Sequence, residues 1–308
     1  MDSVADPGMT DLEPSDRAQL LRVAYRLLGS LAEAEDAVQE AYARWYALSH
    51  ERRGEVRVPQ AWFTTTVSRV CLDVLRSARA RREHYVGEWL PEPEPSALPW
   101  TSAVGATDVA DPAELAQHDE SLTMALLVLL ESMTPAERVA FVLHDVFDYR
   151  YDEIAAIVGR TPHACRQLAS VARNRARDER RRSGDGAELA RTASAIKRAW
   201  EAGDLDGLVR QLDPGAVALV DGGGHVSAPR EPVRGAGAIA RLLLGVLTRQ
   251  PDLSLTGTTV NGTPGLLAHD GAGRPLAVIS ITVTDGRADR LWVVRNPAKL
   301  TAWAGHAQ

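Results

Sequence analysis

Arginine gathers at two places in this 308-residue chain, Arg76 to Arg82 and Arg173 to Arg182, each closing a segment of helical periodicity. Cations at such positions hold phosphate, and the residues before them decide what else is read. Before the first cluster stand Trp62 and the run Thr64-Thr65-Thr66, with Arg69, Arg76 and Arg79 along one face. An aromatic ring that stacks on bases, followed by arginines for the backbone, suits single-stranded DNA. Before the second cluster, His163, Arg166, Gln167 and Ser170 share an outward stripe with Arg173 and Arg177. Arg166, Gln167 and Ser170 are placed to reach base edges, and Arg173 and Arg177 to reach phosphate. A third group, Asp221, His225 and His269, offers acid–base types without a spacing diagnostic of catalysis. Cys71 and Cys165 lack CxxC or Cys/His spacing, so reduced thiols are expected, with no zinc or other metal and no disulfide.

The elements that must position these residues are legible from period and caps. Ser15 can start a helix carrying Leu20, Ala24, Leu27 and Leu28, which Gly29 ends. Ser30 with Glu33 reads as a capping box for a helix burying Ala37, Val38, Ala41, Trp45 and Leu48. Its opposite face carries Asp36, Gln39, Glu40 and Ala43. Pro59 opens a third helix with Phe63, Val67, Val70, Cys71, Val74 and Ala78 inward. Further on, Leu122 to Met133 is apolar almost all round, as in a buried helix. Thr134-Pro135-Ala136-Glu137 then combines a cap, a first-turn proline and a capping-box glutamate. The helix it starts turns Val139, Val142, Leu143 and Val146 to its core. Tyr151 to Gly159 and a helix from Pro162 with Ala164, Leu168 and Ala172 inward form a helix-turn-helix.

Between the basic helices runs a tether of the opposite sign. From Glu83 to Glu137 there is no lysine or arginine, and its first part reads Trp89-Leu90-Pro91-Glu92-Pro93-Glu94-Pro95. Such a segment avoids nucleic acid or occupies a positively charged channel. The whole chain has net charge −6, so affinity for nucleic acid is local or completed by a larger assembly. No signal pattern and no apolar run of membrane-spanning length is present, so a cytoplasmic protein without membrane contact is expected.

Beyond Ser183-Gly184-Asp185-Gly186 the arginine density falls and the pattern changes. A helix from Ala187 to Ala202 carries Leu189, Ala193, Ile196 and Trp200 on one face. Strands follow at Ala216 to Val220, Leu253 to Val260, Gly265 to His269, Leu276 to Thr284 and Arg290 to Val294, with a helix from Ala236 to Leu247. Asp270-Gly271 and Asp285-Gly286 mark hairpin turns, so the expected fold is an α+β layer with a mostly antiparallel sheet.

Three phrases resemble one family. Ala34 to Tyr42, Pro59 to Phe63 and Cys71 to Arg76 are similar to domain 2 of bacterial sigma factors of the extracytoplasmic-function type. The helix-turn-helix resembles their domain 4. The resemblance implies that Asp36, Gln39 and Glu40 bind core RNA polymerase, that the helix from Trp62 through Arg82 opens the promoter −10 element, and that the helix-turn-helix reads the −35 element. Ala199 to Leu208 looks like the opening of SnoaL-like domains, which enclose a cone-shaped pocket and use Asp and His where they are enzymes. Trp89-Leu90-Pro91-Glu92-Pro93, Asp221-Gly222-Gly223-Gly224 and Asn296-Pro297-Ala298-Lys299-Leu300 resemble the signatures of sigma factors with a fused SnoaL-like domain. Ala298 departs from that pattern, where aspartate is usual.

These readings together imply two all-α sigma domains, the second with the helix-turn-helix, followed by an α+β SnoaL-like cone-shaped domain. The expected boundaries are 1–82 for domain 2, 83–120 for the linker, 121–183 for domain 4 and 187–308 for the SnoaL-like domain. The expected activity is promoter-specific initiation with core polymerase, adjusted in cis by the third domain through Trp89 to Pro93, Asp221 to Gly224, Asn296, Pro297, Lys299 and Leu300. No cofactor and no catalytic residue is expected, while the pocket has room for a small-molecule ligand. Two rivals remain: a third domain that turns over a small molecule, and a helix-turn-helix regulator that needs no polymerase.

Overall fold

The computed structural model describes residues 14–82, 85–95, 123–182 and 185–306. They divide into two compact units. One holds the chain up to Arg79 together with Met133–Arg173; the other holds residues 85–95, the helix after Thr123, and everything from Asn174 onward.

The first unit is helical. Helix α1 (Pro14–Leu28) stops where Gly29 turns to φ 70° and its N–H donates to the Tyr25 carbonyl at 2.7 Å. Ser30 Oγ accepts from the Glu33 amide at 3.3 Å and starts α2 (Leu31–Ala47), which buries Leu31, Ala34, Ala37, Val38, Ala41 and Trp45. Leu48, expected inside, is the C-cap and only half-buried, because the helix ends one residue before it. A short α3 (His50–Glu55), capped by Ser49, was not foreseen: it buries nothing, so no apolar period announces it.

Helix α4 (Pro59–Arg82) buries Phe63, Val67, Cys71 and Leu75, with Thr64, Ser68 and Leu72 beside them. Its threonine run stays helical because Thr64 and Thr66 hydroxyls donate back to the Gln60 and Trp62 carbonyls at 3.0 and 2.8 Å. Both cysteines are buried free thiols.

Met133 leads into α6 (Pro135–Phe141), where Thr134 and Glu137 form the full reciprocal capping box. This helix continues as a π-helical turn, Val142–Val146. Helix α7 (Tyr151–Val158) closes on Gly159 at φ 75°, and Thr161 Oγ1 accepts from the Ala164 amide as α8 (Pro162–Arg182) begins. The inward stripe of α8 is Cys165, Ala169, Ala172 and Ala176; Ala164 and Leu168 sit half-buried at its edge. Small residues let a helix approach its neighbours closely, which rotates the larger Leu168 to the flank. Arg138, 2% exposed, donates to the Leu27 carbonyl at 3.0 Å and links α6 to α1; burial pushes its pKa down to about 9.

The second unit is built on a six-stranded sheet of order β2-β1-β6-β5-β4-β3. The strands are β1 (Leu212–Asp221), β2 (Val233–Arg234), β3 (Ser254–Val260), β4 (Thr263–His269), β5 (Pro275–Thr284) and β6 (Arg287–Val294). All neighbours are antiparallel except β1 and β6. The tight turns Asn261-Gly262 and Asp285-Gly286 have positive φ at both residues, the primed geometry that matches strand twist.

Side chains alternate across this sheet and both faces are covered. On one face α9 (Gly186–Glu201), α10 (Leu205–Gln211) and α11 (Ala236–Arg249) pack Ile196, Trp200, Leu208 and Leu243 against Leu266, Ala277, Ile279 and Leu291. On the reverse face Leu267, Val278, Trp292 and Val294 meet Leu90, Leu300, Trp303 and, from α5 (Met124–Glu131), Met124 and Ala125. The reverse face is therefore dry only because the acidic tether and the chain's last turns lie on it.

Candidate docking site of the acidic linker

Three glycines make the site. Asp221 ends β1, and Gly223 and Gly224 follow with φ of 61° and 75°. A Cβ on Gly222 would stand 2.6 Å from the Val226 carbonyl oxygen, and one on Gly223 would overlap the Asn296 side chain. Only glycine allows this turn and this approach. The result is that Asp221, Asn296 and the linker meet at one point.

Asp221 is completely buried and its carboxylate is fully satisfied. Oδ1 accepts from the Gly223 amide at 2.9 Å and the Tyr85 hydroxyl at 2.6 Å. Oδ2 accepts from the Leu90 amide at 3.0 Å and Lys299 Nζ at 2.7 Å. Lys299 also donates to the Leu90 carbonyl, and its ammonium lies 4.1 Å from the Trp89 ring centroid and 5.2 Å from that of Tyr85. Asn296 donates to the Tyr85 hydroxyl at 2.9 Å while its Oδ1 accepts from the Ala298 amide at 3.1 Å. Burial first, then the bond to Asp221, push the Tyr85 phenol above its ordinary range.

The contact continues along the tether. Leu90 is 0% exposed, and burying a side chain of its size stabilises by about 1.5–3 kcal/mol. Pro91, Glu92 and Pro93 are buried as well, and the Pro93 carbonyl accepts from Trp303 Nε1 at 2.9 Å. The Asn261 amide donates to the Glu94 carbonyl at 2.8 Å, and Pro95 bridges to Val260. Stiff prolines lose little entropy on being held this way. All three short motifs thus converge within this unit: Trp89 and Leu90, Asp221 with its glycines, and Asn296 with Lys299. Pro297 and Leu300 shape and bury the last turn, and Ala298 contributes its backbone alone. Tyr85, Trp303 and Asn261 were missed; the one local signal was an Asn-Gly pair at 261–262, a hairpin dipeptide.

The acid–base candidates are scattered. Asp221 is occupied by its four donors, His225 is exposed, and His269 meets Thr256 Oγ1 at 3.0 Å. None lines the cavity of about 250 Å³ on the helical face of the sheet.

In the first unit, Asp36, Gln39 and Glu40 are exposed on α2, with Glu40 paired to Arg44 at 2.8 Å. Trp62 is half-buried, its ring 5.1 Å from Trp45 and 5.2 Å from Phe63. Arg69 is exposed yet donates to the Ala156 carbonyl at 2.9 Å, and Arg76 pairs with Asp73. The side chain of Arg79 lies outside the described residues. His163, Arg166, Gln167, Ser170 and Arg177 are exposed, with Arg166 over the Tyr151 ring at 5.1 Å. Arg173 departs from the expected outward stripe. It is half-buried, and its guanidinium clamps Asp145 and reaches Tyr151 Oη at 3.4 Å, because the π turn brings Asp145 onto α8. Those bonds hold its pKa above the usual range.

Residues 15–81 match the family model of Sigma-70 region 2, and residues 123–175 that of Sigma-70, region 4. The chain is 38% identical over 298 residues to the ECF RNA polymerase sigma factor SigJ of Mycobacterium tuberculosis, covering 92% of this chain and 91% of that protein. The chain belongs to the extracytoplasmic-function sigma factors. The crystal structure of M. tuberculosis SigJ resembles this sigma factor with a TM-score of 0.68 at 34% identity, over 94% of this chain and 96% of that one. A second relative, the probable sigma factor SigI of the same species, is 33% identical over 286 residues, 92% of each chain. As a member of this family, the sigma factor acts with RNA polymerase on promoter DNA. Its helical regions followed by an α+β unit agree with the expected fold class. Among the described residues no helix is long and apolar enough to cross a membrane.

Proposed function

We propose that this sigma factor directs promoter-specific initiation and is regulated in cis, its acidic linker being alternately held by the SnoaL-like unit and threaded into polymerase. The observation that carries this reading is the Asp221 carboxylate, whose four hydrogen bonds join the linker to two turns of that unit. A linker pinned at Tyr85 and Leu90 is withdrawn from any other partner. Tethering keeps the local concentration high, so the dock is populated without a tight interface. Polymerase binding falls to Asp36, Gln39 and Glu40, which are exposed together on α2. Trp62, Arg69, Arg76 and Arg79 take the −10 element. His163, Arg166, Gln167, Ser170 and Arg177 take the −35 element, with Arg173 bracing the recognition helix. The SnoaL-like unit binds rather than catalyses, and the cytoplasm is where the protein's partners lie.

Run-off transcription with core polymerase tests this. At limiting protein, Asp221→Ala frees the linker and raises transcript output over the unsubstituted chain. Output equal to that of the unsubstituted chain overturns cis regulation through this dock. Reversing Asp36 and Glu40 to lysine weakens polymerase binding at unchanged helix content; unchanged affinity overturns that assignment.

A further inference from the structure

The cavity on the helical face of the sheet is walled by Trp200, Leu243, Leu253 and Leu276, among other apolar groups. A partly open, mostly apolar pocket of about 250 Å³ with a few polar groups at its mouth is the usual form of a small-molecule site. Trp200 cannot collapse into it, because its Nε1 is held by the Leu243 carbonyl at 2.8 Å. At the rim stand Arg249, exposed, and Arg295, half-buried with Nη1 on the Ser227 carbonyl at 2.7 Å. Among the described residues no carboxylate pairs with either arginine. Burial first, and then the charge of Arg249, push the Arg295 pKa down. The lining contains no Asp, Glu, His, Lys or Cys, and Ser227 is its one hydroxyl, with no base in the lining to activate it.

We propose that this cavity is a binding site for a small apolar monocarboxylate. The body fills the Trp200–Leu276 chamber and the carboxylate is held between Arg249 and Arg295. Guanidinium groups match a planar carboxylate in geometry as well as charge. The volume admits roughly eight non-hydrogen atoms, taking the share of a liquid water as the measure of each. The site sits on the back of the linker dock. Val220 and Arg295 line the cavity, while their neighbours Asp221 and Asn296 hold Tyr85 on the other face. The Arg295 amide donates to the Asp221 carbonyl at 2.7 Å, so a carboxylate that moves Arg295 moves both sides.

This inference deepens the regulatory reading and rests on it only for the consequence of binding, not for binding itself. The test is calorimetric titration of the full chain with octanoate, octanol and octylammonium. Octanoate is expected to bind once per chain, at least tenfold more tightly than octanol, with octylammonium not binding. Arg249→Leu, Arg295→Leu and the pair are expected to remove the preference for octanoate over octanol while leaving the octanol affinity and the urea midpoint in place. No saturable octanoate binding, or a preference that survives the double substitution, overturns the proposal. Protease cleavage after Glu88 without any added compound reports the dock separately.

Discussion

The two faces of the one sheet are held in different ways. On the helical face, segments close in sequence to the strands supply apolar side chains: α9 brings Leu189, Ala193, Ile196 and Trp200, and α11 brings Ile239, Ala240 and Leu243. On the reverse face much of the cover comes from far along the chain, with Tyr85 and Leu90 lying 136 and 131 residues from Asp221, beside Leu300 and Trp303 just after β6. There a buried ion pair and a set of polar bonds do the holding, over a smaller apolar cluster. Area burial is forgiving of small shifts, whereas a satisfied buried charge is all or nothing. One face is suited to holding a fold together, the other to opening.

The largest expected effect separates them most sharply. Asp221→Ala removes the carboxylate that faces the buried Lys299 ammonium, which costs about 3–5 kcal/mol and opens the dock. Since residues 83–137 contain no lysine or arginine, a glutamate-specific protease is the probe, and cleavage at Glu88–Trp89 is expected to rise at least a hundredfold. Ile279→Ala on the helical face costs a similar amount, about 2–5 kcal/mol, but lowers the urea midpoint of the whole unit without selective cleavage at Glu88. Equal cleavage in both variants would erase the distinction between the faces.

Tyr85→Phe is expected to cost about 1–3 kcal/mol, since it leaves Asn296 without an acceptor and removes one donor from Asp221. The same phenol sets an alkaline limit. Its folded pKa lies above its unfolded value, so its contribution is fully present below about pH 10 and is lost as pH rises toward the folded value. Tyrosinate absorbance should show a late-titrating phenol that Tyr85→Phe removes. Trp303→Phe deletes the bond to the Pro93 carbonyl, worth about 0.5–1.5 kcal/mol, and shrinks a fully buried ring, and should raise cleavage at Glu88 by less than Asp221→Ala does. A larger rise for Trp303→Phe than for Asp221→Ala would shift the weight of the dock from the ion pair to the last turn.

Local chemistry made much of this legible. Thr134 and Glu137, Gly159 and Thr161, and Asp285-Gly286 each act within four residues, and each stands where its chemistry requires. The face of α9 reads directly from its period because only one side is covered. Where a segment lacks an amphipathic pattern, the reading falls short: α3 buries nothing, and α10 is too short for its Leu208 to set a period. Arg173 was placed outward because a helical wheel does not contain Asp145, which arrives through an irregular turn.

The linker shows the division most clearly. Its lack of cations, its prolines and its aromatic residues are properties of the chain alone, and they already mark it as a segment that avoids nucleic acid or occupies a positively charged channel. The three short motifs likewise stand in the chain as separate phrases with no chemistry between them. That Asp221 serves as the shared acceptor for Tyr85, Leu90 and Lys299, and not as an acid in a pocket, was decided only by the tertiary structure. Period and capping report interactions a few residues apart, whereas a buried carboxylate finds its donors wherever β1, the glycine turn and the last turns bring them.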